Sequence, residues 1–249
     1  MSIVSIAHRG ASGVAPENTM LSFWTAITSN VDIIELDVQI TKDKELVIFH
    51  DRSLSRITGE DQGIVNFTLQ KLKQKDVGTW KNKLFNNTRI PTFAEVLQEL
   101  PVDVSYIVEV KPQFDQIEEN RTLERLMLDC LDDNTGKTGI GNGYISARDV
   151  ETLQWFKVNT NKYSLGLMQK KRSFDEFYKI IKENRIEYSQ IRWRNYSEEE
   201  FIKLRNTGTK TMVYFADFPE EWDFLIKNNV DGILTNYPSL LSGYLKQKI

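Results

Sequence analysis

Two histidines are the residues of this chain best suited to acid–base chemistry. The sequence contains only His8 and His50, and each follows a short apolar segment, residues 3–7 and 46–49. Such segments are typical of buried strands, and in a barrel the carboxyl ends of the strands form one shared face. Histidine titrates near neutral pH, so two on one face could act as general base and general acid. Each histidine taken alone is better explained as a polar residue that ends a strand, but the residues near them favour the pair.

Three acidic residues could form a metal site. Glu35 and Asp37 are two positions apart in an apolar run, so on a strand both side chains face the same way. Two such carboxylates repel when buried, and a divalent cation is their usual partner. Glu109, followed two residues later by Lys111, could complete an oxygen site for Mg²⁺ or Ca²⁺. The alternatives are an edge strand with its acidic residues in water and a Glu109–Lys111 salt bridge.

Several residues near these groups could bind an anion. Arg9 offers paired donors that match a phosphate, and Lys111 could bind an anion beside the carboxylates. Residues 16–19, Pro-Glu-Asn-Thr, look like a helix start capped by the Asn or the Thr, and helix N-termini favour anions. Residues 231–238 read as a strand followed by a polar turn, which could add substrate contacts. A simple cap and a simple turn explain these last two segments equally well.

Strands and helices alternate along the chain. We predict nine strands, at residues 3–7, 31–40, 46–49, 104–110, 143–147, 164–168, 187–191, 210–215 and 231–235. Helical patterns cover 18–29, 116–134, 149–158, 173–184, 197–206 and 219–228, and Leu21, Trp24, Ala26 and Ile27 are the expected buried set of the first. Alternation predicts a mostly parallel sheet with helices outside, and about eight repeats favour a closed barrel over an open doubly wound sheet. With nine candidates, one strand is a hairpin partner or misassigned.

Residues 51–91 interrupt this alternation. They are rich in Gly and Asn, contain scattered apolar residues, and are too long for a plain loop. We predict a small inserted lobe after the third strand, within a single catalytic domain that spans residues 1–249. Helical structure resumes at residues 92–95, Thr-Phe-Ala-Glu, which match a capping box.

Composition excludes several classes of protein. The formal net charge of the 249 residues is -3, so no basic face for nucleic acid is expected. The single cysteine, Cys130, allows no intramolecular disulfide. Neither a signal peptide nor an apolar run of about 20 residues is present, so we expect no stable membrane insertion and a cytoplasmic location. A small molecule is the expected partner, and oligomeric state stays open.

Six motifs together resemble the glycerophosphodiester phosphodiesterase family, over nearly the whole chain. They are His8-Arg9-Gly10, Pro16-Glu17-Asn18-Thr19, Glu35-Leu36-Asp37-Val38, His50-Asp51, Glu109-Val110-Lys111-Pro112 and the segment from Asp231-Gly232 to Pro238. The resemblance implies an α/β fold, a TIM (β/α)8 barrel, with residues 51–91 as the family's insertion. It implies metal binding by Glu35, Asp37 and Glu109, catalysis by His8 and His50, and substrate binding by Arg9, Lys111 and Glu17.

The expected reaction is the metal-dependent hydrolysis of glycerophosphodiesters to glycerol 3-phosphate and an alcohol. Two departures from the family pattern, at residues 146–148 and 214–217, affect the wall that would receive the alcohol. One alternative is a phosphodiesterase that cleaves phospholipids or lysophospholipids, with Phe67, Trp80 and Phe85 as an apolar approach. A non-catalytic barrel that binds phosphate ligands ranks lower, because both histidines and all three carboxylates are present.

Overall fold

The strands form a closed parallel barrel. The computed structural model describes residues 3–101, 103–111, 121–134 and 140–248. Their strands are β1 (Val4–His8), β2 (Ile33–Ile40), β3 (Leu46–Ile48), β4 (Ser105–Val110), β5 (Tyr144–Ala147), β6 (Leu165–Met168), β7 (Tyr188–Ile191), β8 (Lys210–Val213) and β9 (Gly232–Thr235). Parallel pairing runs in the order β1-β9-β8-β7-β6-β5-β4-β2, and a β1–β2 pairing closes the ring. This confirms the TIM barrel and excludes the open sheet.

β3 lies outside the ring as the hairpin partner. It pairs antiparallel with β2, with Val38 opposite Ile48 and Ile40 opposite Leu46. The link between β2 and β3 is too short for a crossover helix, so the chain returns along the same strand. All nine predicted strands are therefore present, and β3 is the hairpin partner that the count of nine required.

Helices follow most strands. They are α1 (Met20–Thr28), α2 (Ser55–Thr58), α3 (Leu69–Leu72), α4 (Phe93–Glu99), α5 (Thr122–Asp133), α6 (Val150–Asn159), α7 (Phe174–Asn184), α8 (Glu198–Arg205), α9 (Pro219–Lys227) and α10 (Pro238–Lys248). The predicted capping box is present at α4, where Thr92 Oγ1 accepts from Glu95 N at 3.1 Å and Glu95 Oε2 accepts from Thr92 N at 2.7 Å. Of the helix predicted over 116–134, residues 116–120 lie outside the described residues.

The buried face of α1 differs from the prediction. Phe23 and Ala26 are fully buried, as expected for Ala26, but Leu21 and Trp24 are 44% and 42% exposed. The rotation of the helix is set by its first turn, where Ser22 packs against the loop after β1 and Ala11 N donates to Ser22 O at 2.9 Å. That contact turns residues 22, 23 and 26 inward, so the expectation for Leu21 and Trp24 was wrong.

Three groups of buried side chains hold the structure together. The largest fills the space between the barrel and its helices. A second occupies the barrel interior below the carboxyl ends of the strands, and includes Tyr144 stacked on Tyr188 with ring centroids 4.2 Å apart. A third joins residues of the 51–91 segment, such as Leu54, Ile64 and Leu72, to Val47 of β3. The 51–91 segment thus has buried side chains of its own and packs on the hairpin strand. Among the described residues no helix is both long and apolar enough to span a membrane.

Candidate active site

Three carboxylates meet inside the carboxyl end of the barrel. The β2–β4 register places Asp37 beside Glu109, and Glu35 lies one inward-facing position below Asp37. One oxygen from each of the three side chains lies within 4.8 Å of the others. Glu35, Asp37 and Glu109 are only 2%, 0% and 3% exposed, so the alternative of an edge strand with acidic residues in water is wrong.

Positive charges surround this carboxylate cluster. Lys111 Nζ lies 2.6 Å from Glu109 Oε1 and 2.9 Å from Asp37 Oδ1, so the salt bridge considered for Glu109 and Lys111 is formed. Arg148 Nε donates to the same Glu109 oxygen at 2.8 Å. The backbone N of Arg9 donates to Glu35 Oε2 at 2.8 Å. These contacts offset part of the negative charge, and most of the compensation falls on Asp37 and Glu109 rather than on Glu35.

The carboxyl groups accordingly differ in acidity. Burial, and then the charges of Asp37 and Glu109, raise the pKa of Glu35 well above its ordinary value. Burial alone would also raise the pKa of Asp37, but Lys111 and other nearby positive groups hold it well below its usual range. Glu35 is therefore the carboxyl group of the cluster that binds a proton most readily, and a bound cation would compete with that proton.

The oxygen donors of this site fit a hard divalent cation. Thr19 caps α1, accepting from Ser22 N at 3.3 Å, whereas Asn18 turns inward and donates from Nδ2 to Asp37 Oδ2 at 2.7 Å. Asn18 Oδ1 is buried and accepts no hydrogen bond, and Asp37 Oδ1 has only its ion pair with Lys111. An unpaired buried oxygen is costly, and Mg²⁺ or Ca²⁺ would satisfy Asn18 Oδ1 together with the carboxylates, since these ions prefer carboxylate and amide oxygens. From sequence, Asn18 was recognised only as a possible cap.

His8 is held in one tautomer. Its Nδ1 lies 2.8 Å from Asn236 Oδ1, and Asn236 Nδ2 donates to Asp217 Oδ2 at 2.7 Å. Because the Asp217 carboxylate can only accept, the Asn236 oxygen must face His8, and His8 Nδ1 must carry the hydrogen. Nε2 is then left with its lone pair, and the ring stacks on Phe215 at 5.2 Å. Burial, and then the charge of Arg9, lower the pKa of His8 from 6.5 to about 4, so it is neutral at pH 7.

His50 is paired with a carboxylate instead. Its Nδ1 lies 2.7 Å from Asp51 Oδ1, and Arg56 Nε donates to Asp51 Oδ2 at 2.6 Å. Burial opposes ionisation of Asp51, but hydrogen bonds from His50 and Arg56 lower its pKa strongly. Arg56 also makes a two-pronged pair with Glu17, at 2.6 and 3.0 Å. A carboxylate on Nδ1 orients the His50 ring and leaves Nε2 as the nitrogen that can reach a substrate. No sequence signal indicated that Arg56, in the 51–91 segment, reaches this site.

Arg9 and Glu17 form an ion pair beside the carboxylate cluster. Arg9 Nη1 donates to Glu17 Oε1 at 2.8 Å, and its Nε lies 3.5 Å from Asp37 Oδ2. The chain turns sharply after β1, with φ of +56° at Arg9 and +78° at Gly10. A Cβ at Gly10 would lie 2.5 Å from Ser22 Oγ, so only glycine fits there. Glu17 thus fixes the guanidinium of Arg9 at the edge of the cluster.

A cavity of about 280 Å³ opens over these groups. Both histidines, Arg9, Glu35 and Glu109 line one side of it, whereas Asp37, Glu17 and Lys111 do not line it. Its other side carries three cationic residues that sequence reasoning did not assign to the site: Arg148, Lys170 and Lys171. Each lies just beyond the end of a predicted strand, which was the one available signal.

Comparisons with known proteins point to one family. The model of the glycerophosphoryl diester phosphodiesterase family matches residues 8–240. The chain is 28% identical to a glycerophosphodiester phosphodiesterase of Caldanaerobacter subterraneus, over 99% of both chains. It is 29% identical to one of Bacillus subtilis, over 96% of this chain and 85% of that protein. An Oleispira antarctica phosphodiesterase, solved with the product sn-glycerol-3-phosphate, superposes with a TM-score of 0.83 at 23% identity and covers 98% of this chain and 97% of its own.

Proposed function

This chain belongs to the glycerophosphoryl diester phosphodiesterase family, and we propose that it hydrolyses glycerophosphodiesters to glycerol 3-phosphate and an alcohol. The observation that carries the proposal is that two histidines lie beside three buried carboxylates at one rim of the barrel, and that their Nδ1 atoms have different partners, an amide oxygen for His8 and a carboxylate for His50. A phosphodiester needs charge neutralisation, a base for the nucleophile and an acid for the leaving group, and these residues supply all three.

Glu35, Asp37 and Glu109 would hold a divalent cation. When bound, Mg²⁺ or Ca²⁺ supplies positive charge for the non-bridging oxygens of the phosphate. Arg9 lines the cavity and adds a second positive group. Lys111 is engaged by Asp37 and Glu109, so its contact with phosphate is proposed only for the cation-bound state, in which those carboxylates have another partner.

The two histidines divide the proton transfers. His8 is neutral and has a free Nε2 lone pair, so it acts as the general base that takes the proton of the nucleophile. His50, whose ring is oriented by the contact of Nδ1 with Asp51, gives a proton from Nε2 to the leaving alcohol. The nucleophile is water or the neighbouring hydroxyl of the substrate. ³¹P NMR distinguishes these, because only attack by the substrate hydroxyl forms a cyclic phosphate.

A pair of substrates tests the division between the histidines. With glycerophosphocholine, His8→Ala and His50→Ala should each slow turnover by at least ~100-fold, the lower range for acid–base groups. With glycerol 3-phospho-p-nitrophenol the leaving group departs without protonation. The loss in His50→Ala should then shrink to less than ~10-fold, whereas the loss in His8→Ala should persist. Release of glycerol 3-phosphate is measured by coupling to its dehydrogenase, and that of p-nitrophenol by absorbance.

Three results would contradict this scheme. Near-normal rates in both histidine variants would remove the acid–base mechanism. A leaving-group rescue in His8→Ala rather than His50→Ala would reverse the assignment. Activity that survives a chelator, and is not raised by added Mg²⁺ or Ca²⁺, would remove the metal role of the carboxylate cluster. Lys182→Gln, an exposed change on α7, is the control for losses of activity that arise from purification of a variant rather than from the changed residue.

The lipid alternative receives little support from the 51–91 segment. Phe67 is 6% exposed and belongs to the buried group of that segment. The Trp80 ring lies under Arg56, with the guanidinium carbon 5.0 Å from its centroid. Phe67 therefore packs within the structure, and Trp80, although 37% exposed, has its ring covered by Arg56. Deacylated diesters are the proposed substrates. Faster release from a long-chain lysophospholipid than from glycerophosphocholine would favour the lipid reaction instead.

A further inference from the structure

The side of the cavity opposite His8 is cationic. In the ring of strands, β6 lies diametrically across from β1. The β5–β6 register pairs Ala147 with Leu167, and one further step puts Arg148 beside Met168. Lys170 and Lys171 follow, and all three cations line the cavity. The acidic residues of the lining are confined to the carboxylate cluster, and the whole chain carries a formal charge of -3, so this positive wall is a local feature.

Arg148 is fixed in a way that leaves donors for a ligand. Its Nε donates to Glu109 Oε1 at 2.8 Å, and this is its one hydrogen bond among the described residues. The two terminal nitrogens of its guanidinium are therefore available at the cavity. A guanidinium with one side anchored presents its remaining N–H groups in the planar fork that matches phosphate or carboxylate oxygens.

The two lysines sit at the centre of an ordered turn. Arg172 N donates to Gln169 O at 3.3 Å, which closes a four-residue turn around Lys170 and Lys171. Gln169 is anchored in turn by a bond from its N to Gln190 O at 2.9 Å. Lys170 adopts a φ of +58°, which lysine rarely does and which glycine or asparagine would adopt at lower cost. Left-handed backbone at a non-glycine residue near a site is a reason to look for a role of its side chain.

We infer that Arg148 and Lys171 bind a second anionic group of the substrate, so that the preferred glycerophosphodiester carries a phosphate on its alcohol portion. The inference rests on the proposed function, because the first phosphate is placed at the Arg9 and histidine side of the cavity. Glycerol is neutral, so a second anion must belong to the alcohol. A cationic alcohol such as choline would meet like charges at this wall and is disfavoured.

Two substrates that differ by one group test the inference. They are glycerophosphoglycerol and the same compound with a phosphate monoester on its terminal hydroxyl, compared at equal free metal concentration. Wild-type kcat/KM should be higher for the phosphorylated compound by at least ~10-fold, which is the gain expected from about one additional charge-assisted hydrogen bond. The preference should shrink between about 0.1 M and about 1 M salt, because the Debye length falls from about 10 Å to about 3 Å.

Variants locate the effect. Lys171→Gln should lower the preference by about two- to fivefold, as expected for an exposed ion pair, and Arg148→Gln should lower it further. Lys179→Gln removes an equal charge from the exposed face of α7, away from the cavity, and should leave the preference unchanged. The readout is the ratio of the kcat/KM values of the two substrates. If Arg148→Gln disturbs Glu109 and so slows both substrates equally, that effect cancels in the ratio.

The outcomes separate this inference from the function on which it rests. Equal kcat/KM for the two compounds in the wild type would overturn the inference while the diesterase function stands. So would a preference that neither Lys171→Gln nor Arg148→Gln lowers, or one that Lys179→Gln lowers equally. Failure to cleave either compound would overturn the diesterase function, and the inference with it.

Discussion

Replacing Glu35 by glutamine should have opposite effects on stability with and without metal. In the metal-free protein, burial and the neighbouring carboxylates raise the pKa of Glu35, so the folded state keeps a proton that the unfolded state releases. Stability therefore falls as the pH rises from the unfolded pKa, near 4.3, toward the folded pKa. Glutamine keeps the shape and the acceptor for the backbone N of Arg9, but it has no proton to lose.

The size of the effect follows from linkage. In chelator, Tm should be similar for wild type and Glu35→Gln near pH 4. By pH 8 the variant should be the more stable, by about 1.4 kcal/mol, or about 3–6 °C, for each unit by which the pKa is raised. With metal at a hundredfold excess over its Kd, the wild type should gain about 2.7 kcal/mol, or about 5–11 °C. Glu35→Gln should lose most of that gain, because one of the three ligands has lost its charge.

Differential scanning calorimetry across pH, with Mg²⁺, Ca²⁺ or chelator, measures both effects on the same samples. Glu45→Gln removes an exposed carboxylate before β3 and should behave as wild type. The reasoning would be refuted by a wild-type Tm that does not respond to either cation, or by a Glu35→Gln protein that keeps the full metal response. A Tm difference in chelator that does not depend on pH would show that Glu35 is ionised normally in the fold.

Three further changes test the rest of the structure. Asn236→Ala leaves the buried Nδ1–H of His8 without an acceptor, at a cost of about 1–3 kcal/mol, and steady-state kinetics should show kcat lower by about 5- to 150-fold. Arg56→Gln breaks ion pairs of a 42% exposed side chain, so kcat/KM should fall by less than about 10-fold. Gly166→Ala would place a Cβ 2.4 Å from the Tyr144 ring, and such overpacking should cost about 1–3 kcal/mol and be seen as a lower Tm.

Matched controls exist for each change. Ser12→Ala removes the hydroxyl that donates to the Asn236 oxygen and to the backbone oxygen of His8, but it leaves the bond between Asn236 and the His8 ring in place, so turnover should change far less. Arg89→Gln is an exposed change in the same segment as Arg56. Gly243→Ala adds a methyl in α10 with no atom within 4 Å, and should leave Tm unchanged or raise it. Equal effects of a test change and its control would contradict the corresponding contact.

Much of the fold could be predicted from local patterns. Alternating apolar strands and amphipathic helices indicate the barrel, because buried parallel strands need helices on their outer face. The Thr92–Glu95 capping box marks the start of α4 for a purely local reason. The rotation of α1 could not be predicted in the same way, since its apolar residues allow more than one buried face. Contact between Ser22 and the loop after β1 selects that face.

For the site, sequence determined which chemical groups are present and which strand ends carry them. The same-face geometry of Glu35 and Asp37 follows from the two-residue period of a strand, and the placement of each histidine follows from its position after an apolar run. Tertiary structure decided their state. Asp217 holds Asn236 so that His8 becomes a neutral base. These contacts join residues that are far apart in the sequence, so local sequence patterns do not indicate them. Closure of the ring likewise brings the cations after β5 and β6 across from His8, because strands distant along the chain share one rim.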